Sequence, residues 1–498
     1  MDDLEKARGL IRQQSRGLNL LRDLLMKATG KEAPLKIFRA TLPKIISTSV
    51  SYTCGVGCEM CNAGFSDRTY LFPGYKYLQP KEFEQLSPWI KSASHVVLVG
   101  MGETLDSPYL YEFIKQLNGK ISFITTSGVP LNREKTIRLI QSKLQYINFS
   151  FDGKTAVGHG AGNEKYIQKF WEKLKVFQET KRELSCNHPI AMMTLALDRE
   201  NLEYLDDIFQ TAYSHEIRIV DLIFMIPWNE RLFEKSIFSN LNDSREKINK
   251  AIRKGNARGM HIRIFEEEQM QERTETCYFV DKHLIFNLNR NQPSICCGPI
   301  TLPLETRNLS PETYWNSFPF RYFRYLHFSS DPTKLPLACQ NCWIMDPQKY
   351  CESATTSFTR GENFQETLSL YRTASNLKRE NRETEAEEMF SRILDITQNI
   401  SLKGKVFFHL GELRIKNKNY PEALSYMKLT VRNCFDHQMA FTYLYLLLVL
   451  TGKTKEREKR RTLKSDHLNH FAEHSPYRPG KIDFSSLNPF LNVRCKCS

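Results

Sequence analysis

The central part of the chain, from residue 45 to about 265, alternates short runs rich in β-branched and aromatic residues with longer amphipathic segments. Segments 107–117 and 164–177 place apolar residues at i, i+3, i+4 and i+7, which predicts helices. Six strands are predicted, at 45–51, 95–100, 121–126, 146–151, 189–197 and 218–226. Repeated strand–helix units predict an α/β fold with a parallel sheet, in which functional loops lie at the carboxyl ends of the strands.

The pattern changes twice further along the chain. Between about 270 and 350 the helical periodicity fades and cysteines gather, whereas after 355 the pattern is almost entirely helical. The offsets of a tetratricopeptide repeat are met by Ala386 and Phe390 in a first copy, and by Leu410, Gly411, Ala423 and Met427 in a second. The copies lie 37 residues apart, counted from 386 to 423. This spacing favours a short helical repeat, with a plain helical bundle as the alternative.

These changes divide the chain into five predicted regions. They are a basic N-terminal helical segment (1–44), an α/β barrel-like region (45–265), a small cysteine-rich α+β region (266–355), an all-α repeat domain (356–465) and an irregular basic tail (466–498). The tail carries Pro476, Pro479 and Pro489, which disfavour regular structure.

Composition and charge narrow the functional class. The 498 residues are 41% hydrophobic and 25% charged, as in ordinary globular proteins. The longest apolar run, 443–450, is too short to span a bilayer. Asp2, Asp3 and Glu5 replace the apolar segment of a secretory signal, which predicts a cytoplasmic protein with no membrane partner. The net charge of +14 divides into +5 in residues 1–50, +6 in 451–498 and only +3 between them, so a nucleic-acid partner is not favoured.

Three of the thirteen cysteines follow the first predicted strand, in the pattern Cys54-x3-Cys58-x2-Cys61. A reducing compartment disfavours disulfides, so metal binding is the better interpretation. Three thiolates on one short loop can hold three irons of a [4Fe–4S] cluster and leave the fourth iron open to a ligand. A zinc site is the alternative, but it needs a fourth ligand at short spacing. The next histidine is His95 and the next cysteine is Cys186.

This motif resembles the signature of the radical S-adenosylmethionine (SAM) enzymes, whose fold is a partial (β/α)6 barrel. Gly100-Met101-Gly102-Glu103 ends the second strand, where that family has a Gly-Gly-Glu-like motif that meets the amino group of SAM. Ser150-Phe151-Asp152-Gly153 ends the fourth strand, where the family commonly contacts the ribose. The resemblance implies cofactor contacts from Met60, Gly100, Gly102, Glu103, Thr126, Ser150 and Asp152. One departure is Met60, which stands where the family usually has an aromatic residue.

The resemblance also implies a reaction. In the family, the open iron binds SAM, and the reduced cluster cleaves it to methionine and a 5′-deoxyadenosyl radical that abstracts a hydrogen from the substrate. The electron comes from a donor such as flavodoxin or ferredoxin. The protein supplies binding and orientation, while the cofactor performs the difficult step.

A second group of cysteines predicts a second metal site. A β-hairpin would bring Cys277 towards Cys296 or Cys297, and Cys339 and Cys342 follow about forty residues later. We take Cys277, Cys297, Cys339 and Cys342 as ligands of an auxiliary [4Fe–4S] cluster, with Cys296 as the alternative to Cys297. The region resembles SPASM and twitch domains, including its Trp315-Asn316-Ser317 stretch, and a single-cluster twitch-like form suits the cysteine count. Cys351 is an extra ligand or a bystander, and a zinc ribbon is the alternative.

The resemblance leaves the substrate open. Relatives of this architecture modify peptides and proteins by crosslinking, epimerisation or oxidation, or they oxidise small alcohols. Helical repeats usually bind extended peptides, which favours a peptide or protein substrate. A small-molecule dehydrogenase, an RNA-modifying enzyme and an inactive iron–sulfur scaffold are the alternatives, and Glu103 argues against the scaffold. No catalytic acid or base is assigned; His159, Asp198 and Glu230 lie in suitable loops.

Overall fold

The computed structural model describes residues 38–56, 58, 60–61, 76–99, 102–153, 163–227, 230–264, 277–287, 292–294, 296, 310–328, 332–342, 364–435 and 437–451. Several sequence-based predictions lie outside these residues. They concern most of the N-terminal segment, the basic tail, Gly100, His159, Cys297 and Cys351.

The described residues contain one sheet of nine strands. The strands are β1 (Ile45–Thr48), β2 (His95–Leu98), β3 (Ile121–Thr126), β4 (Tyr146–Phe151), β5 (Ile190–Leu197), β6 (Ile219–Phe224), β7 (His261–Ile264), β8 (His283–Asn287) and β9 (Gln292–Ser294). Their order is β7-β6-β5-β4-β3-β2-β1-β8-β9, and every pair is parallel except β8 with β9. The predicted parallel α/β sheet is confirmed, and all six predicted strands are present. Sequence reasoning missed β7, which lies at the end of the predicted barrel-like region.

Seventeen α-helices lie within the described residues. Those of the sheet region are α1 (Pro80–Glu84), α2 (Ser87–Ser92), α3 (Leu110–Gln116), α4 (Arg133–Gln141), α5 (Asn163–Glu183), α6 (Arg199–Leu202), α7 (Leu205–Ser214), α8 (Glu230–Lys235) and α9 (Leu241–Ala257). Beyond them are α10 (Pro311–Trp315), α11 (Phe318–Phe328), α12 (Leu337–Gln340), α13 (Phe364–Arg379), α14 (Glu383–Ile396), α15 (Ile400–Lys416), α16 (Tyr420–Asn433) and α17 (Gln438–Leu450). Both helices predicted from periodicity, at 107–117 and 164–177, overlap observed ones, α3 and α5.

The two faces of the sheet bury different apolar clusters. On one face, residues such as Ile46, Leu98 and Phe149 join helix residues in the main core. On the other face the cluster consists of strand residues alone: Ile45, Val97, Phe123, Tyr146, Met192 and Ile219, with Val99, Ile121 and Ile190 at its edge. Within the described residues, helices therefore cover one face of a sheet whose first seven strands follow chain order. This arrangement is typical of a β/α barrel, since a doubly wound sheet carries helices on both faces.

A polar layer lies above the strand-only cluster, two residues nearer the carboxyl ends of the strands. Asn148 donates to Thr125 (Nδ2 to Oγ1, 3.4 Å), and Thr194 donates to Asn148 (Oγ1 to Oδ1, 3.0 Å). Asp221 and Arg263, side by side on β6 and β7, form a buried bidentate ion pair. The interior of the barrel-like sheet thus changes from apolar to polar towards its carboxyl edge.

The segment around Trp315 ties the start of the described chain to the sheet. The Trp315 indole donates to the carbonyl of Thr41 (2.7 Å), and the Asn316 side chain exchanges two hydrogen bonds with the backbone of Ala40. The buried Arg324 guanidinium lies 4.6 Å from the Trp315 ring. The Trp-Asn-Ser stretch therefore has a packing role in this chain.

The C-terminal helices α13 to α17 each pack on the next, as in a helical repeat. Gly411 allows close approach between α15 and α16, because a Cβ there would lie 3.1 Å from Cβ of Tyr426. The last helices pack on α11, where Phe318 meets Tyr445 (ring centroids 5.1 Å apart) and Phe323 meets Phe435 (5.2 Å). None of the described helices combines the length and apolar character that crossing a membrane requires.

Candidate active site and a second thiol group

The Cys54–Cys58–Cys61 loop begins six residues beyond the end of β1, at the carboxyl edge of the sheet. The backbone N–H of Val56 donates to the sulfur of Cys54 (3.5 Å), and the N–H of Cys61 donates to the Cys58 carbonyl (3.1 Å). Burial raises the pKa of the Cys58 thiol, and negative charge on Asp152, Cys61 and Cys54 raises it further. The three sulfur atoms therefore share one electrostatic environment.

This donor set fits an iron–sulfur cluster in its chemistry. Three thiols on one short loop suit three irons, and a cationic centre would remove the mutual repulsion that raises the Cys58 pKa. Over the residues that the structure describes, no three Cys, His, Asp or Glu side chains are already at metal-ligand separation.

Gly102 brings the end of β2 against the start of the cysteine loop. Its N–H donates to the Ser51 carbonyl (3.2 Å), and the N–H of Glu103 donates to the Thr53 carbonyl (2.7 Å). A Cβ at residue 102 would lie 2.3 Å from the Thr53 oxygen and 2.6 Å from its nitrogen, which are backbone atoms. Only glycine fits here, because the neighbouring backbone cannot move aside as a flexible side chain could.

The Glu103 carboxylate is 3% exposed and accepts four hydrogen bonds. Oε1 accepts from Leu105 N–H (3.0 Å) and from the Thr126 hydroxyl (2.7 Å). Oε2 accepts from the N–H (2.8 Å) and hydroxyl (2.5 Å) of Ser127. Thr126, predicted as a cofactor contact, lies on β3 and orients Glu103 in this structure.

Asp152 connects the end of β4 to the cysteine loop. Its carboxylate hydrogen-bonds the Cys58 thiol, and Ser150 lies 3.5 Å away (Oγ to Oδ1). Burial raises the pKa of Asp152, and the hydrogen bonds from Cys58 and Ser150 oppose that shift. Asn201 donates to the Asp152 carbonyl (3.0 Å) and bridges it to β5 through the Ala196 carbonyl (3.0 Å).

Tyr166 is a neighbour of this site that sequence reasoning missed. Burial raises the pKa of its phenol, and negative charge on Asp152, Cys58, Glu103 and Cys54 raises it further. A signal was present in the sequence, because Tyr166 starts the apolar face of α5 that Phe170, Leu174 and Phe177 continue. A helix that follows β4 begins at the carboxyl edge of the sheet, where the predicted site lies.

The structure thus brings together Gly102, Glu103, Thr126, Ser150 and Asp152 beside the three cysteines. Met60 lies in the loop between Cys58 and Cys61 and is partly buried. Of the residues considered as acid or base, Asp198 is buried and caps α6 by accepting from Asn201 N–H (2.7 Å), and Glu230 is exposed at the start of α8.

A second thiol group consists of Cys277, Cys296, Cys339 and Cys342. Burial raises the pKa of Cys339, and negative charge on Cys296, Cys277 and Cys342 raises it further. Phe279 packs against Cys277, Cys296 and Cys342. The predicted hairpin is present as the antiparallel pair β8–β9. It brings Cys296 to this group, whereas the predicted ligand Cys297 lies outside the described residues.

The two thiol groups lie at opposite edges of the sheet. Ile45 of β1 pairs in parallel with His283 of β8, and Cys277 precedes β8, while Cys54 follows β1. Cys296 follows β9, which runs antiparallel to β8 and so ends near the start of β8. The second group therefore lies at the amino-terminal edge, away from the Cys54 loop.

No family model matches the chain. No curated protein matches it either. Among solved structures, Streptococcus suis SuiB bound to S-adenosylmethionine is 12% identical with a TM-score of 0.46, over 65% of this chain and 77% of that one. The protein anSMEcpe with bound AdoMet is 11% identical with a TM-score of 0.46, over 64% and 93%. BtrN in complex with AdoMet and 2-DOIA is 11% identical with a TM-score of 0.34, over 58% and 88%.

Proposed function

We propose that the chain is a radical SAM enzyme that modifies a peptide or protein substrate. One observation carries the proposal: the three-cysteine loop meets the ends of β2 and β4 in a single site. Gly102 lies against Thr53, just before Cys54, and Asp152 hydrogen-bonds the Cys58 thiol. Three patterns that are far apart in the sequence therefore converge on one edge of the sheet. The cysteine pattern is specific by itself, and the other two gain their weight from lying beside it.

In this proposal Cys54, Cys58 and Cys61 hold a [4Fe–4S] cluster, and Glu103 and Asp152 bind SAM. When bound, the cluster and SAM supply one-electron cleavage of the sulfonium and removal of a substrate hydrogen. A buried carboxylate such as Glu103 suits an ammonium group, because charge-assisted hydrogen bonds are strong away from water. Thr126 and Ser127 keep that carboxylate oriented. The polar layer of Thr125, Asn148 and Thr194 offers hydrogen bonds beneath the site.

The second thiol group would hold an auxiliary cluster through Cys277, Cys296, Cys339 and Cys342. Negative charge on Cys296 and Cys342 raises the pKa of Cys277, and negative charge on the other three cysteines raises the pKa of Cys339. All four thiols are therefore electrostatic neighbours. Four thiolates leave no iron open to a ligand, and the group lies at the edge away from Glu103. Its role would therefore be electron transfer or stabilisation of the fold and not substrate binding.

SAM cleavage tests the proposal directly. The protein is purified without oxygen, reconstituted with iron and sulfide, reduced with dithionite and assayed for 5′-deoxyadenosine by mass spectrometry. We expect product from the wild type and none from Cys58→Ala, because loss of one thiolate removes one iron ligand. Cys434→Ala is the matched control, since Cys434 is a buried cysteine that belongs to neither thiol group. Equal product from the wild type and Cys58→Ala would refute the assignment.

A further inference from the structure

A cavity of about 810 Å³ lies in the helical domain, away from both thiol groups. Its walls come from α13 and α15, with His437 just before α17. α13, α15 and α17 are the first, third and fifth of the five C-terminal helices. The cavity therefore lies on the side of the stacked helix pairs that their first helices form. Such a surface is the place where helical repeats bind extended chains.

The rim of this groove is basic. Arg372 and Arg379 on α13 and Lys405 on α15 are exposed and line the cavity. Each is without a carboxylate partner in the part of the chain that the structure describes. Arg372 and Arg379 lie seven residues apart, which is two helical turns and places them on one face. Three cations with free charge therefore face one cavity.

The floor of the groove is held by a hydrogen-bond network. Tyr371 and His409 are joined (Oη to Nε2, 3.0 Å), as are Lys378 and His409 (Nζ to Nδ1, 2.9 Å). Glu412 pairs with Lys378, so the charge of this deeper lysine is already balanced. Phe408 adds an aromatic surface to the lining. The floor thus offers aromatic contact and fixed polar groups, while the uncompensated charge stays at the rim.

We infer that this groove binds an acidic segment of the peptide substrate, remote from the carbon that reacts. The inference rests on the proposed function, because it names what the substrate presents to the helical domain. A peptide with a few Asp or Glu residues matches three free cations and an aromatic floor. A nucleic acid presents a phosphate at every nucleotide and favours a longer basic track than this rim supplies.

Binding is measured on the full-length chain, without SAM, by fluorescence anisotropy. The probe is a fluorescein-labelled peptide of repeated Glu-Ala-Tyr units, and the matched peptide carries Gln in place of Glu. We expect the Glu peptide to bind more tightly and its binding to weaken as salt is raised. Arg372→Glu, Arg379→Glu and Lys405→Glu should each weaken it about threefold to tenfold, because each reverses one solvent-exposed charge of the rim.

Two variants serve as controls. Arg372→Lys keeps the charge and should retain most of the affinity. Arg392→Glu reverses an equally exposed cation on α14, outside the groove, and should bind like the wild type. All these side chains lie at the surface, so folding is checked by circular dichroism and is expected to be unchanged.

Three results would overturn the inference. They are equal binding of the Gln peptide, equal effects of Arg392→Glu and the groove variants, and tighter groove-dependent binding of a single-stranded RNA. The inference and the proposed function can fail separately. If the wild-type protein cleaves SAM but does not bind the Glu peptide, the groove alone is refuted. If it binds the Glu peptide but does not cleave SAM after reconstitution, the radical SAM assignment is refuted and the groove remains a site for acidic peptides.

Discussion

Glu103 joins the ends of two neighbouring strands through a single carboxylate. It follows β2 and accepts hydrogen bonds from Thr126 and Ser127 at the end of β3, as well as from the Leu105 backbone. Four acceptor positions are the usual capacity of a carboxylate. A ligand ammonium would meet a charged group whose orientation is already set, which reduces the cost of binding, and it would take the place of one of these four donors.

We expect Glu103→Gln to lower both stability and SAM affinity. The amide offers one acceptor oxygen, so buried donors that now meet Oε1 or Oε2 lose their partner, at a cost of about 1–3 kcal/mol. Thr126→Val is the matched comparison, because it removes one hydroxyl and keeps the charge; it should lower the melting temperature and the SAM affinity less than Glu103→Gln does. Thermal unfolding and calorimetric SAM titration measure the two effects. A Glu103→Gln protein that is less stable but binds SAM normally would limit Glu103 to a structural role.

At the scale of elements, α11 buries polar groups within an aromatic interface. His327 is buried beside Phe323 (ring centroids 4.3 Å apart), and burial lowers its pKa from 6.5 to about 3. His283 on β8 is also buried, with a pKa lowered to about 3, and it hydrogen-bonds Ser47 (2.7 Å). Both rings are therefore neutral in the folded protein near neutral pH.

Acid should destabilise the protein through these two histidines. Above about pH 6.5 neither state binds the proton, so stability does not depend on them. Between about pH 6.5 and 3 each of these histidines binds a proton in the unfolded chain but not in the folded protein, so stability falls as the pH falls. At pH 5 the loss is about 2 kcal/mol for each ring. His327→Leu should flatten this fall by about half, as followed by thermal unfolding from pH 7.5 to 5, and an unchanged pH profile would contradict the assignment.

At the scale of the whole molecule, the sheet separates two thiol groups and the helical domain covers α11. Phe318 and Phe323 contact Tyr445 and Phe435, so removing the last helices would expose aromatic side chains. For this reason point substitutions in the groove test the helical domain more cleanly than truncation does. Because the thiol groups are separate, we expect each proposed cluster to be lost without the other.

Iron content tests that independence. Reconstituted wild type should hold about eight irons per chain, and the triple variant Cys54→Ala/Cys58→Ala/Cys61→Ala about four. Cys296→Ala should lose the other four, whereas Cys297→Ala should keep them and serves as the adjacent control. Zinc in place of the second set of irons would overturn the auxiliary cluster and leave the first site intact. Retention of iron by Cys296→Ala with loss in Cys297→Ala would assign the ligand to Cys297.

Local patterns in the sequence determined the order of the strands and helices. They also determined the positions of the cysteine motif and of the motifs that end β2 and β4. The period of a strand or helix can be recognised within about ten residues, so β1 to β6, α3 and α5 could be predicted without knowing which elements they pack against. The Cys54 motif follows a strand, and its chemistry depends on spacing along one loop. The rule that loops of a parallel sheet gather at one edge then placed Glu103 and Asp152 beside it.

Tertiary structure decided what depends on contacts between distant segments. The pairing of β8 with β1 joins residues far apart in the chain, and it puts the second thiol group at the other edge of the sheet. Sequence spacing leaves both Cys296 and Cys297 open as partners of Cys277, and the course of the hairpin brings Cys296 to the group. The partners of Glu103, the approach of Tyr166 and the basic groove depend in the same way on packing, because a residue's neighbours in space are set by how whole elements pack and not by the residues beside it in the chain.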